Sequence, residues 1–183
     1  DLVVHLRQLV VEAGFTLTEG DCHGANGYTD FATRVVCISP GLEEAQAVKT
    51  LAHELGHIRA DHERRFVDPA TRSVACRGVA EVEAESIAYL IMASAGVDAT
   101  SYSVPYIAEW GGGADVVREC ASHVLTVATD IQNEILGLAS SEPAGLQSNE
   151  RAVESAQAAR EQWNEVTAMI VDGEGVDFAM LST

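Results

Sequence analysis

The chain has 183 residues, 47% of them hydrophobic, and a formal net charge of −17. This composition excludes a disordered chain, and the length suits one well-buried domain with a helical appendage. The longest apolar run, Ile87 to Val97, is too short and interrupted to span a bilayer, and the negative charge disfavours direct nucleic acid binding.

Four cysteines, Cys22, Cys37, Cys76 and Cys120, are scattered along the sequence and form no C-x-x-C motif. This spacing argues against a zinc ribbon or a disulfide framework, so we expect reduced, buried thiols in a cytoplasmic protein. No signal peptide is visible. Because Asp1 opens directly into a helical pattern, we expect the sequence to be a piece of a longer protein.

The first predicted element is a short amphipathic helix, in which apolar residues recur at helical spacing from Leu2 to Val10. Gly14 follows at the position of a C-terminal cap. Turn-forming residues fill the segment from Gly24 to Asp30, and Phe31 to Ile38 has the pattern of a strand. We therefore expect a small sheet built around a hairpin.

The next predicted helix, from about Leu42 to Ala60, contains the motif H-E-x-x-H at residues 53–57. Histidines His53 and His57 are four residues apart and share one helix face, so both can reach one Zn²⁺ ion, with Glu54 beside them as general base. Such a short match also occurs by chance on surface helices. Gly56 costs about 1 kcal/mol within a helix, and we interpret it as permitting close approach of another backbone or ligand.

From Asp61 to Arg77 the sequence is rich in charged residues and contains Pro69, which predicts a loop beside the cleft. Its arginines could bind an acidic end of a substrate. The favoured interpretation is a solvated connection that balances nearby acids.

The segment from Val79 to Met92 has a helical pattern that carries three glutamates. Glu81 and Glu85 share a stripe with small residues, so their burial would require partners. Zn²⁺ is the expected partner of Glu81, and a ring N–H of a ligating histidine is that of Glu85. Glu83 points elsewhere and is the second choice as ligand. The alternative is that all three lie on a solvated face.

Three aromatic residues, Tyr102, Tyr106 and Trp110, follow in a polar segment, where they could line the cleft or belong to the core. A further helix is predicted from about Asp115 to Leu138. His123 lies within it, and we interpret it as a packed or surface residue rather than a ligand.

The C-terminal part has a different composition. Ser140 to Ser148 resembles a linker, and Arg151 to Val171 predicts one more helix with a weak apolar stripe. We therefore divide the chain into a main domain, 1–139, and a linker with a helical extension, 140–183.

The third protein ligand decides the type of zinc site. The metzincin pattern requires a glycine and a histidine where this chain has Ala60 and Glu63, and His62 is one residue out of register. A glutamate on the next helix remains, as in gluzincins, with Glu81 first and Glu83 second. Three protein ligands with an open position would make zinc catalytic, whereas four closed ligands would make it structural.

Two stretches together, Ala45 to His57 and Glu81 to Tyr89, resemble the ImmA/IrrE-type metallopeptidases. They resemble still more the zincin domain of ArdC-type antirestriction proteins, to which Tyr106 to Trp110 is also similar. The resemblance covers about Gly24 to Leu138, while the segment after Arg151 has no recognised counterpart.

The resemblance implies an α+β, zincin-like fold that is mostly helical with a small sheet. It implies His53, His57 and Glu81 as zinc ligands and Glu54 as general base. The expected function is hydrolysis of peptide bonds in specific protein targets, such as a repressor or a restriction-related protein of mobile elements. The DNA-binding domain of ArdC-type proteins is missing, so we expect a protein or peptide substrate, no direct nucleic acid binding and no membrane association.

An alternative function follows from the charge. An acidic antirestriction protein could retain zinc but act by occupying a basic DNA-binding surface. The intact H-E-x-x-H motif argues against this alternative.

Overall fold

The computed structural model describes residues 2–66, 77–97 and 114–140, together with a few residues between 153 and 164. The elements in these ranges are, in chain order, α1 (Leu2–Glu12), β1 (Thr16–Glu19), β2 (Gly27–Asp30), β3 (Val35–Ile38), α2 (Glu44–Arg59), α3 (His62–Phe66), α4 (Arg77–Ser94) and α5 (Ala114–Ser140). Among them, no helix has the length and apolar character needed to cross a membrane.

The N-terminal helix α1 forms as predicted. Its residues Leu6, Leu9 and Val10 are buried in the core, and Gly14 follows with a positive φ of 83°. That left-handed conformation, which glycine adopts without a steric penalty, reverses the chain into β1. Strand β1 then pairs in parallel with β3.

The hairpin differs from the predicted one. The segment predicted as its turn contains strand β2, which pairs antiparallel with β3, and the connection is formed by residues 31–34. The Asp30 side chain accepts a hydrogen bond from the backbone N–H of Ala32, and Arg34 has a left-handed φ of 56°. The predicted strand from Phe31 was therefore wrong in its first half, because Asp30 starts a turn that its side chain stabilises. The strand order β1-β3-β2 leaves β2 at an edge of the described sheet.

Helix α2 lies at the centre and contacts α1, the sheet, α3, α4 and α5. Its closest partner is α4, in which every residue from Val82 to Met92 is buried. A Cβ placed on Gly56 would lie 3.2 Å from both the Cα and the carbonyl oxygen of Ala84. The predicted close approach of another backbone at Gly56 is confirmed.

The charged segment after α2 begins with a short helix, so the predicted loop was wrong for residues 62–66. Asp61 adopts a left-handed φ of 56°, which ends α2 and turns the chain into α3. Residues 67–76, which the same prediction covers, lie outside the described residues, as do Tyr102, Tyr106 and Trp110.

The predicted α+β class, mostly helical with a small sheet, is confirmed. Cys22, Cys37 and Cys120 are buried and form no disulfide bond within the described residues, while Cys76 lies outside them. The division between 1–139 and 140–183 stays a prediction, because α5 ends at Ser140 and most of the predicted helix from Arg151 to Val171 lies outside them too.

Candidate metal centre

Three side chains from two helices converge at one end of the α2–α4 contact. The Nε2 atoms of His53 and His57 are 3.1 Å apart. The Oε2 atom of Glu81 lies 3.4 Å from Nε2 of His53 and 3.8 Å from that of His57. One ligand atom from each residue lies within 4.8 Å of the other two. The structure thus brings together the three residues that the sequence predicted as ligands.

The donor set fits a zinc ion by its chemistry. Two imidazole nitrogens and one carboxylate oxygen are the ligands of catalytic zinc sites that keep one position open. The side chains of His53, His57 and Glu81 are 16%, 13% and 18% exposed, so the cluster is largely desolvated but still reaches the surface. Each histidine also has a hydrogen-bonding partner at its Nδ1 atom, which leaves Nε2 directed into the cluster.

The Nδ1 atom of His53 contacts Glu85 directly, at 3.2 Å from Oε2. The other oxygen of Glu85 lies 2.6 Å from Lys49 Nζ. Burial alone would raise the pKa of Glu85, but hydrogen bonds from His53 and Lys49 outweigh burial and lower it. For His53 in the metal-free protein, burial opposes the charged form, yet hydrogen bonds to Glu81 and Glu85 raise its pKa to about 10.

The Nδ1 atom of His57 reaches a carboxylate through a second histidine. It lies 2.8 Å from Nδ1 of His62, and Nε2 of His62 lies 2.8 Å from Oε2 of Glu83. Arg65 donates two hydrogen bonds to Glu83, of 2.6 Å and 2.9 Å. Burial favours the neutral forms and lowers the pKa of His62, whereas the bonds from His62 and Arg65 overcome burial at Glu83 and lower its pKa to about 2. Glu83, the second choice as ligand, thus has other partners and lies outside the convergent group.

Glu54, the predicted general base, is buried next to the sheet, about 60° around α2 from His57. The hydroxyl of Thr29 in β2 donates a hydrogen bond of 2.7 Å to its Oε2 atom. Strand and helix touch closely here, since a Cβ on Gly27 would lie 2.6 Å from Cγ2 of Thr50. The sheet therefore supplies a polar partner for the base.

Sequence reasoning missed four partners of the predicted residues: Thr29, Lys49, His62 and Arg65. His62 carried a signal, because it is a histidine five residues after His57, but it was tested only as a metzincin ligand. Thr29 left none, because a contact between a strand and a helix 25 residues apart has no local pattern. His123 contacts the carbonyl oxygen of Ala60 at 3.4 Å and lies outside the group of candidate ligands.

A family model described as the IrrE N-terminal-like domain, of the peptidase M78 family, matches residues 8–109. The chain belongs to this family. The matched part includes both helices that carry the candidate ligands, and it supports the resemblance to ImmA/IrrE-type proteins. Together with the helices and the small sheet, membership supports the zincin-like fold and suggests a metallopeptidase-type function. Neither a curated protein nor a solved structure matches the chain.

Proposed function

We propose that this chain is a zinc-dependent metallopeptidase domain that hydrolyses peptide bonds in specific protein targets. The observation that carries the proposal is the convergence of His53, His57 and Glu81 on one point, with Glu54 on the same helix. Membership of a peptidase family supports it. Zinc is the metal we propose because two imidazoles and one carboxylate, with a position left open, suit it better than the all-oxygen sets of magnesium or calcium.

When bound, zinc supplies a Lewis acid that polarises a carbonyl group and lowers the pKa of water to about 7. His53, His57 and Glu81 would hold it, and Glu85 and His62 fix the orientations of the two imidazoles. Glu54 would take the proton of the attacking water and deliver it to the leaving amine. The bond from Thr29 to Oε2 orients the Glu54 carboxylate for that transfer.

Strand β2 supports an extended peptide as the substrate. It is the edge strand on one side of the described sheet, and one of its residues, Thr29, touches Glu54. A peptide that pairs with this edge would run beside the general base, with backbone hydrogen bonds giving affinity largely independent of sequence. The resemblance to antirestriction proteins favours cytoplasmic targets such as a repressor or a restriction-related protein.

The net charge of −17 favours a second candidate function. In this alternative the chain keeps zinc but acts by occupying the basic DNA-binding surface of a partner. Peptide hydrolysis would then be dispensable, while zinc and the acidic surface would still be required.

The Glu54→Gln variant separates the two functions, because it keeps the size of the side chain and removes the carboxylate that accepts a proton. The purified parent and variant should bind equal amounts of zinc by elemental analysis. Both would be incubated with a mixture of synthetic peptides and with candidate repressor and restriction proteins, and products would be followed by mass spectrometry. We expect cleavage to fall roughly 10²- to 10⁴-fold in the variant. Equal activity of parent and variant in cells would overturn the peptidase function and favour the binding function.

A further inference from the structure

We propose that His62 is a positioning residue of the metal centre: it holds the His57 ring in the tautomer and orientation that direct Nε2 to the metal. This role rests on the proposed zinc site. The observation behind it is the continuous set of contacts from His57 through His62 to Glu83 and Arg65, in which adjacent atoms lie 2.6–2.9 Å apart.

The break between α2 and α3 is what brings His62 to His57. In a continuous helix, a residue five positions on lies roughly 140° around the axis, so the two side chains would diverge. Here Asp61 has a φ of 56°, α2 ends at Arg59, and α3 starts at His62 itself. The two Nδ1 atoms come to 2.8 Å as a result. His62, which is out of register as a metzincin ligand, thus lies next to the proposed ligand His57, on the side away from the metal.

The directions of the hydrogen bonds follow from the partners. The guanidinium of Arg65 only donates, and it contacts both oxygens of Glu83, so this carboxylate accepts and Nε2 of His62 must carry a hydrogen. Neutral His62 then presents a lone pair at Nδ1. His57 donates its Nδ1–H to that lone pair, which leaves the lone pair of its own Nε2 for the metal.

Burial protects the hydrogen bonds between His57, His62 and Glu83 from replacement by water. His62 is 2% exposed and Glu83 is 1% exposed, so water cannot easily replace either partner. An imidazole also transmits direction, because its two nitrogens are fixed on one rigid ring. His53, in contrast, contacts its carboxylate, Glu85, without an intermediate residue. Glu85 therefore orients His53 directly, whereas Glu83 orients His57 through His62.

The first test measures zinc affinity by competition with a chromogenic chelator. His62→Phe removes the acceptor for His57 while keeping a ring of similar size, and we expect zinc affinity to fall about 10- to 100-fold. His62→Asn can present an oxygen near the former Nδ1 position and should recover part of the loss. His5→Phe is the matched control, since His5 is also buried but lies on α1. It should bind zinc like the parent. Circular dichroism and thermal melting would show whether each variant is folded.

The second test needs no variant and remains decisive if His62→Phe does not fold. Long-range ¹H–¹⁵N correlation spectra of the zinc-loaded parent should show His62 protonated at Nε2 and His57 at Nδ1. The opposite tautomer of His62 would overturn the proposal, as would unchanged zinc affinity in a folded His62→Phe protein. A parent protein that binds no zinc would instead overturn the proposed function, so the two failures are distinguishable.

Discussion

The metal ligands on helix α2 and the general base on the same helix are held by different means. On the side of α3 and α4, His53 and His57 are oriented by buried carboxylates that are themselves paired with Lys49 and Arg65. On the side of the sheet, Glu54 contacts one neutral donor, the Thr29 hydroxyl. The metal ligands are thus held by charged groups, and the base by an uncharged one.

This difference matches the separate tasks that we propose. A metal ligand must keep one orientation and one protonation state, which networks of ionised, hydrogen-bonded groups favour. A general base must gain and lose a proton in each turnover, and an adjacent cation would oppose the gain. A hydroxyl can orient the Glu54 carboxylate without placing a second positive charge beside it. The experiments below test the comparison, beginning with the largest expected effect.

Replacing Glu81 by alanine should weaken zinc binding, whereas replacing Glu83 should mainly lower the stability of the fold. Glu81→Ala removes a proposed ligand, and the fold should persist. Loss of a residue that only hydrogen-bonds a metal ligand lowers metal affinity by up to roughly 100-fold, so the loss in Glu81→Ala should be larger. Glu83→Ala leaves Arg65 and His62 without their buried partner and should lower the free energy of unfolding by about 3–5 kcal/mol. Zinc competition and denaturant unfolding would measure both effects. Zinc loss confined to Glu83→Ala would move the third ligand to Glu83.

The pH dependence of stability should differ between the metal-free and zinc-loaded proteins. In the metal-free form the pKa of His53 is about 10, against about 6.5 for an unperturbed histidine, because Glu81 and Glu85 outweigh burial. The folded state then holds one more proton than the unfolded state, so stability should fall by about 1.4 kcal/mol per pH unit above pH 6.5. Zinc replaces that proton and should remove this contribution. Chemical unfolding between pH 6.5 and 8.5, with His53→Gln as control, would measure it.

Substituting alanine at Gly56 and at Gly137 should test how tightly α2 and α4 pack. An added Cβ at Gly56 meets the backbone of Ala84 at 3.2 Å, whereas at Gly137 in α5 it meets nothing within 4 Å. Gly137→Ala should stabilise the protein by roughly 0.5–1 kcal/mol through helix propensity. The free energy of unfolding of Gly56→Ala should be about 1–3 kcal/mol lower than that of Gly137→Ala, because α2 and α4 must move apart. Equal free energies of unfolding for the two variants would show that α2 and α4 can move apart at Gly56 with little loss of stability.

The sequence predicted α1, α2, α4 and α5 and the histidine pair of the metal centre because each depends on local spacing. His53 and His57 form a pattern within five residues, and the apolar stripe of α1 repeats within one helix. The bounds of the predicted turn and strand were wrong because the turn depends on one side chain, Asp30, which was counted among the turn residues before the strand. The contact of His62 with His57 was not foreseen, because it depends on the left-handed conformation of a non-glycine residue, Asp61.

A further expected effect concerns the contact between α2 and the sheet. Thr29→Val keeps the shape of the side chain but removes the hydrogen bond to Glu54, and a bond to a charged group contributes about 1.5–3 kcal/mol. Because the bond orients the base rather than forming it, only part of that energy should appear in the barrier. We expect kcat to fall about 10-fold, which corresponds to roughly 1.4 kcal/mol.

Zinc affinity should stay unchanged in Thr29→Val, since the ligating histidines are held by residues of α3 and α4 rather than by the sheet. Thr29→Ser is the matched control, because it retains the hydroxyl and should retain most of the activity. Steady-state kinetics on a peptide identified with the parent protein, alongside zinc competition, would measure both quantities. If Thr29→Val lost zinc as readily as activity, the contact with the sheet would also hold the metal ligands, and the separation between the holding of the metal and the orienting of the base would be wrong.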